Sequence, residues 1–564
     1  MIAIWKARRR KIFAALLTAA MGQALAAAAA AWCVRHLFNQ LIGSSEAGGH
    51  ASHLLGIGFF LAALFGFLLE VVQRRLGEEM ALDYTAEVRL ALFDHHLKLP
   101  PERFGHRSQG ALLLPFVGDL TALKQWVGNG LARIFAAAVT LTVLLGILAG
   151  HSLLLGAAIG AALAVGGLVM LSLGRPLNSA VRDLRRRRGA LAGFVSGRLS
   201  GVAAIQMMAR ARSERRKVVA RTESLNRASR RRAWITGTMR GAAQFTGSLL
   251  IIATLLAGTH EIAAGRLTPG ALVATLSLVG LMAAAMHDLG RGLESWYPAR
   301  ISRERIAAVL RQPARRRMKH RAGQEAALPG LTFESLAIGP LSGLSTTVRP
   351  GEVVLIEGPA GSGKSSLLGC IAQLTQQTTG AIMQDGRDLR SLTPAELRRT
   401  IGFASPALPL LRGSFGMNLR YRKPDVAAED VTSLLASSGL DRLVAHLPGG
   451  LRARLTDNGV NLSFGERQAL LLARAILGLP PILLIDSIDS HLDPPVVRWL
   501  ADTLRSYPGT VLMAVSRPEL ARCATRVWRL DQGIFSEQAA SPASLSLIPL
   551  PPSAARGKST GSNT

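Results

Sequence analysis

Apolar positions in the first half of the chain come in long unbroken runs, and in the second half they come in short ones. Six long runs stand out: residues 12–32, 54–72 (LLGIGFFLAALFGFLLEVV), 134–150 (IFAAAVTLTVLLGILAG), 153–173 (LLLGAAIGAALAVGGLVMLSL), 241–258 (GAAQFTGSLLIIATLLAG) and 271–286 (ALVATLSLVGLMAAAM). A helix needs about 20 apolar residues to cross the hydrocarbon core of a bilayer, so each run predicts a membrane span. The sixth is short by itself and needs flanking residues to complete its crossing. The first follows a basic head, MIAIWKARRRK, as a signal peptide would. Its length favours a retained span.

The connections alternate in charge. Residues 43–53, 150–152 and 259–270 are short and nearly free of Lys and Arg, whereas the start, 73–130 and 174–240 are basic, with RDLRRRR, RARSERRK and RASRRR in the last of these. The positive-inside rule places the basic connections, the N-terminus and everything after residue 287 on the cytoplasmic side. Both long basic connections are rich in helix formers, so they are expected to prolong the spans into the cytoplasm. Breaks are predicted at KLPPERFGHRSQG, residues 98–110, and LSGVAAIQMMARARSE, residues 199–214. His95, His96 and Arg103 belong to the first loop and read as packing or docking residues.

After the sixth run the texture changes. A basic, breaker-rich linker, residues 311–330, leads into short β-like runs such as GEVVLIEG and PPILLID that alternate with helical segments. That alternation predicts an α/β domain with a mostly parallel sheet. The expected organisation is a transmembrane domain over 1–310, a linker over 311–330, an α/β domain over 331–536 and a disordered Ser/Pro-rich tail over 537–564.

Composition refines this picture without changing it. Lys and Arg number 66 against 36 Asp and Glu, a formal charge of +30, while the hydrophobic share is 49% and the mean hydropathy +0.27. The arginines lie mostly between apolar runs, so the excess reads as helix flanks beside anionic headgroups rather than as a nucleic-acid surface. Cys33, Cys370 and Cys523 are far apart and match no metal or disulfide spacing.

Candidate chemistry begins at GEVVLIEGPAGSGKSSLLGC. An apolar strand runs into Gly358, Pro359, Ala360, Gly361, Ser362, Gly363, Lys364, Ser365 and Ser366, and then a helix. This is the phosphate-binding loop G-x-x-x-x-G-K-S in its required setting. Its glycines let backbone amides turn toward phosphate oxygens, and the helix start adds a favourable dipole. Lys364 is expected to reach the terminal phosphates of ATP, and Ser365 to ligate Mg with Asp486, the acid that ends ILLID.

A second signal narrows the class. NLSFGERQALLLARAIL, residues 461–477, opens a helix about a hundred residues after the loop, and PPILLIDSIDSHLD, residues 480–493, follows it. In this order and spacing the pair resembles the signature and Walker B segments of ATP-binding cassette (ABC) proteins. TDNG at 456–459 is similar to the segment before the signature, SHLD at 490–493 to the loop after Walker B, and RVWRLDQG at 526–533 to the closing strand pair. Six spans with long cytoplasmic loops ahead of one cassette resemble an ABC half-transporter of the type I exporter class, over nearly the whole chain.

The resemblance implies a six-helix membrane bundle joined to an α/β P-loop NTPase domain in a bacterial inner membrane, with N-terminus and cassette cytoplasmic. It also implies a dimer in which cassettes meet head to tail, each ATP lying between one chain's phosphate loop and the other's signature. Leu462, Ser463, Phe464, Gly465 and Gln468 would then act on the partner's nucleotide, and the breaks at 98–110 and 199–214 would be the coupling helices.

Three family positions depart, and all concern hydrolysis. Ser487 stands where the catalytic glutamate is usual, Ser516 where the switch histidine is, and Pro406 where the Q-loop glutamine is. A hydroxyl does not polarise water as a carboxylate does, and proline has neither a side-chain amide nor a backbone N–H. LTFESLAIGPLSGLSTTV also lacks a Tyr or Phe at the place of the adenine-stacking aromatic, and Phe464 replaces a small residue within the signature. His491 is either a surface histidine or a compensating group.

The joint loss, with the phosphate loop, Asp486 and signature kept, predicts a degenerate cassette. It would hold ATP and barely cleave it, and would pair with a second half-transporter that keeps its glutamate and histidine. A non-hydrolysing membrane regulator is the competing function. A soluble ABC ATPase acting on DNA is disfavoured by the six runs. No domain is expected ahead of the first span, and nothing in the spans identifies a cargo.

Overall fold

A computed structural model describes residues 4–42, 49–101, 113, 115–313, 330–531 and 533–539. Arg103 and most of the first predicted break lie outside the described residues, as do most of the linker and residues 540–564. The chain divides at residues 314 and 315 into two compact units.

The first unit is helical. Its elements are α1 (Ala7–Ile42), α2 (Gly49–Leu97), α3 (Pro115–His151), α4 (Leu153–Ser200), the short α5 (Val202–Met207), α6 (Ala211–Ala263) and α7 (Pro269–Leu310). Among the described residues six helices are long and apolar enough to cross a membrane, and each absorbs one of the apolar runs. A helix satisfies its own backbone donors and acceptors, which is what lets it cross hydrocarbon. The short connection at 150–152 and the predicted break at 199–214 fall where helices stop. Ser152 caps α4 by accepting the Leu155 amide, and Gly201 ends it before α5. Thr268 caps α7 in the same way, with Pro269 at the first helical position. The sixth run, short in sequence, is completed by flanking residues within the 42-residue α7. α6 runs 53 residues without interruption.

Small residues allow close crossings. A Cβ on Gly77 of α2 would lie 2.6 Å from the Gly128 carbonyl of α3, and one on Gly166 of α4 would lie 2.2 Å from Thr246 Oγ1 of α6. Beyond the apolar runs, charge takes over. Asp119 of α3 accepts from Arg185 Nη1 of α4 at 3.0 Å and from Ser302 Oγ of α7 at 2.8 Å, which ties three helices at one buried carboxylate. Buried Arg9 of α1 donates to Glu87 of α2 at 2.7 Å. His96 packs on Phe116 and bonds the Leu92 carbonyl, a packing role as expected.

The second unit is α/β. Its strands are β1 (Leu331–Ile338), β2 (Leu341–Val348), β3 (Val353–Glu357), β4 (Thr379–Gln384), β5 (Arg387–Asp388), β6 (Ile401–Ala404), β7 (Gly413–Ser414), β8 (Arg454–Leu455), β9 (Ile482–Asp486), β10 (Thr510–Ala514), β11 (Arg526–Asp531) and β12 (Ile534–Ala539). The central sheet has the order β12-β11-β3-β10-β9-β6 and is parallel from β11 to β6. VVLI, ILLID and TVLMA are buried along their whole length, as strands covered on both faces must be. Beside this sheet stands an antiparallel one, β2-β1-β4-β5, which the sequence reading did not separate from the rest. Helices α8 (Lys364–Ile371), α9 (Ala428–Ser438), α10 (Leu440–His446), α11 (Phe464–Ile476) and α12 (Pro494–Arg505) complete the parts used below. Val431, Leu435, Leu440, Leu470 and Leu500 join the β9 and β10 side chains in the larger of its two cores.

The boundary expected at 536 needs correction, because β12 continues through Ala539. Glu537 holds it there by accepting from Trp528 Nε1 and Thr346 Oγ1, and Arg526 pairs with the same carboxylate. Trp528 is fully buried between Phe333 and Phe535.

Gly402 of β6 lies so close to α11 that a Cβ there would stand 2.2 Å from the Ala475 carbonyl and 2.7 Å from the Pro480 ring. Gly402→Ala is expected to destabilise this unit by about 1–3 kcal/mol through overpacking. In a thermal melt of the full chain, the α/β transition should move several degrees lower; an unmoved transition would mean that the sheet and α11 separate freely.

Candidate functional site

β3 delivers the chain to the phosphate loop. Gly358, Gly361 and Gly363 take φ values of 150°, 85° and 100°, and a Cβ on Gly358 would lie 2.2 Å from the Leu530 carbonyl. Both the backbone turn and the close approach therefore require glycine there. Gly363 begins α8, and Lys364 curls back so that its ammonium donates to the carbonyls of Gly358 at 2.7 Å and Pro359 at 3.0 Å. The Ser362 hydroxyl is buried without a hydrogen-bond partner among the described residues, a polar atom still open to a ligand.

Asp486, at the end of β9, is bonded through both carboxylate oxygens. Ser365 Oγ donates to Oδ1 at 2.8 Å and Ser405 Oγ to Oδ2 at 3.1 Å. The two groups expected to ligate Mg therefore already meet, and both offer the hard oxygens such an ion takes. Ser405 was not foreseen. It is buried, stands just before Pro406, and also accepts the Ala407 amide at 3.2 Å, so the segment holding Pro406 is tied to Asp486 by its neighbour.

Ser463 caps α11 in a reciprocal capping box. Its hydroxyl accepts the Glu466 amide at 3.2 Å while Glu466 accepts the Ser463 amide at 2.7 Å. Leu462 and Gln468 are buried, whereas Phe464 is about half exposed. The Phe464 ring meets the His491 ring edge to face, centroids 4.6 Å apart, and Gly465 admits the His491 carbonyl, which would lie 2.6 Å from a Cβ. His491 is thus an exposed histidine resting on the signature. Further along α11, Arg474 reaches the Pro409 carbonyl at 3.4 Å, and burial pulls its guanidinium below its ordinary value.

The other departures sit on loops leaving the same sheet edge. Ser487 takes a φ of 48°, and its amide donates to the Ala514 carbonyl at 2.8 Å. Ser516 follows β10, and its amide and that of Arg517 both donate to Asp489 Oδ2 at 2.7 Å. Arg517 returns the tie through Nε to the Asp489 carbonyl at 3.0 Å and through Nη2 to the Leu492 carbonyl at 2.6 Å. Asp489 is fully buried, and sequence reasoning passed it over. Phe333, the one aromatic residue of LTFESLAIGPLSGLSTTV, is buried in the core, so it offers no stacking face. All three cysteines are buried and free.

Residues 12–286 match the family described as ABC transporter transmembrane region, and residues 341–489 match the family described as ABC transporter. Among curated proteins, the multidrug efflux ATP-binding/permease protein of Mycobacterium tuberculosis is 28% identical over 83% of this chain and 40% of its own length. The chain thus spans about two-fifths of that relative. The ATP-dependent lipid A-core flippase of Xylella fastidiosa is 27% identical over 85% of this chain and 82% of its own. Among solved structures, a bacterial Atm1-family ABC exporter with ATP bound superposes with a TM-score of 0.83 at 19% identity, covering 95% of this chain and 96% of the other. The fold is that of an Atm1-type exporter.

The Asp489 carboxylate, itself buried and accepting two backbone amides, makes charge-assisted bonds whose loss typically costs about 1.5–3 kcal/mol. Asp489→Ala, which removes both acceptor oxygens, is expected to loosen the loop after β10 and speed hydrogen exchange at the amides of 516 and 517 by roughly ten- to a hundredfold. Unchanged exchange at those two amides would show that something else protects them.

Proposed function

The chain belongs to the ABC transporter family, with transmembrane region and ATP-binding domain fused in one polypeptide, and from that membership we propose that it is an exporter subunit specialised to hold ATP. Its own phosphate loop keeps the nucleotide with little cleavage, and its signature completes the site of a different, hydrolysing subunit across a head-to-tail heterodimer. The six long helices would lie in a bacterial inner membrane with both cassettes cytoplasmic.

One observation carries this reading. The groups that bind are kept and meet in space, while the groups that would activate water are replaced. Lys364 lies over the loop that would cradle the phosphates, and the unpartnered Ser362 hydroxyl would take one of their oxygens. Ser365 and Asp486 would hold Mg, which on binding would offset charge on the phosphates. Ser487 supplies no general base, an absence that typically costs on the order of 10²- to 10⁴-fold in rate. Ser516 is shorter than histidine and uncharged, and its amide is committed to Asp489. Pro406 offers no side-chain oxygen to the metal. The Ser463 capping box, by contrast, supports a signature built to serve another chain's nucleotide.

A non-hydrolysing regulator, in which ATP only clamps the cassettes, remains the second reading, favoured by the same replacements. The two part on whether a complex with a hydrolysing partner moves cargo.

The purified full chain in nanodiscs is expected to bind ATP, and Lys364→Ala to abolish that binding. Its hydrolysis should lie at least about 100-fold below that of the complex with its partner. Ser463→Arg should spare ATP binding by this chain and suppress hydrolysis by the complex. Hydrolysis by the chain alone at the rate of the complex would falsify the proposed division of labour.

A further inference from the structure

Between α4 and α6, past the basic ends of their apolar runs, lies a groove of about 760 Å³. It shares no residue with the cavity enclosed by α1, α2, α3 and α7. Arg175, Arg182, Asp183, Arg186 and Arg187 of α4 line it together with Arg231 of α6. Their spacings on α4 are those of one helix face. From the other side of α4, Leu177 and Val181 are buried in one cluster with Met239 of α6, an apolar floor that fixes the separation of the two helices.

Five guanidinium groups line this groove with one carboxylate. Asp183 accepts from both Arg186 and Arg187 at 2.8 Å, and Arg187 also donates to Ser224. Arg182 donates to Glu304 of α7 at 2.9 Å, an acceptor it shares with Arg300 at 3.3 Å. Arg175 and Arg231 have no hydrogen bond or ion pair among the described residues. Like charges gathered on low-dielectric walls focus a potential that draws in an anion. An unpaired guanidinium adds a planar fork of donors that matches two oxygens of a phosphate.

The groove also has an apolar approach. Leu171 and Leu168 stand one and two turns before Arg175 on the same face of α4, and both are exposed. The headgroup layer takes about 5–7 Å on each side of the hydrocarbon core, and Arg175, two residues past the apolar run, falls within it at 1.5 Å per residue. Helical side chains lean toward the N-terminus, which on α4 is the direction of the hydrocarbon, so Arg182 leans back toward the same layer. We propose that this groove binds the headgroup of an anionic phospholipid, its phosphate against Arg175 and an acyl chain laid over Leu171 and Leu168. A zwitterionic head would bring a cationic ammonium against the same arginines. The site requires only that the long helices lie in a bilayer, so it stands or falls apart from the ATP-holding reading of the cassette.

The test counts lipids on the full chain by native mass spectrometry after release from dodecyl maltoside micelles, with dioleoyl phosphatidylglycerol or dioleoyl phosphatidylcholine titrated in. The first phosphatidylglycerol is expected to bind about tenfold more tightly than the first phosphatidylcholine, the scale of one charge-assisted hydrogen bond. Arg175→Gln should remove most of that preference and leave phosphatidylcholine binding as it was, and Arg175→Lys should restore it. Arg212→Gln, which takes an equal charge from the exposed surface of α6 outside the groove, should keep the preference intact. Inorganic phosphate and glycerol 3-phosphate, at the concentration where the lipid saturates, should not displace it. An unmoved helical transition in a thermal melt reports that each variant is folded. Equal binding of the two lipids, a folded Arg175→Gln variant that keeps the preference, an equal loss from Arg212→Gln, or displacement by the free phosphates at that concentration overturns the proposal. A chain that shows the preference yet hydrolyses ATP alone at the rate of its complex would sink the division of labour and leave this site standing.

Discussion

Asp486 ends a strand buried along its whole length, and each of its carboxylate oxygens receives a serine hydroxyl from a different segment. Ser365 comes from the phosphate loop and Ser405 from the end of β6, so one side chain gathers three loops at one edge of the sheet. This follows from parallel pairing. When β3, β10, β9 and β6 run the same way, all of their carboxyl ends open on a single side, and the loops leaving them must share it. Asp489 extends the arrangement by one strand, holding the loop after β10 through two amides. The other Asp489 oxygen, Oδ1, is buried without a hydrogen-bond partner among the described residues, so the hold on this loop rests on Oδ2 alone.

Much of this was legible in the sequence, for identifiable reasons. The spans declare themselves because an apolar run of bilayer length has few other uses, and VVLIE, ILLID and TVLMA declare a core sheet because they carry no polar face. The antiparallel sheet was less legible. β1 pairs with both β2 and β4 through registers shifted between Phe333 and Leu336 and between Glu334 and Ala337, so no clean alternation marks it. Ser405 and Asp489 escaped notice because their partners are distant in sequence, 81 residues away for Ser405 and 28 for the Arg517 amide. A serine beside a proline and an aspartate between Ile488 and Ser490 carry no local signal of such contacts.

The membrane unit hid its polar chemistry in a similar way. Glu70, Arg133 and Asp288 sit on three helices, one near the end of each apolar stretch, so the segments taken singly read as nearly uncharged. Only packing brings them to one cavity. The contact of Phe464 with His491 follows the same logic: two unusual residues, 27 positions apart, prove to be a single feature in which each ring supports the other.

The length of α6 carries a mechanical consequence. Its 53 residues extend about 80 Å, of which the hydrocarbon layer takes only about 30 Å. No proline interrupts it, and the helix continues unbroken through its one adjacent Gly/Ser pair, Gly247 and Ser248, so it runs as a single rod. A tilt of about 5° at one end therefore carries the other by about 7 Å, and this helix works as a stiff lever that enlarges a small motion along its length.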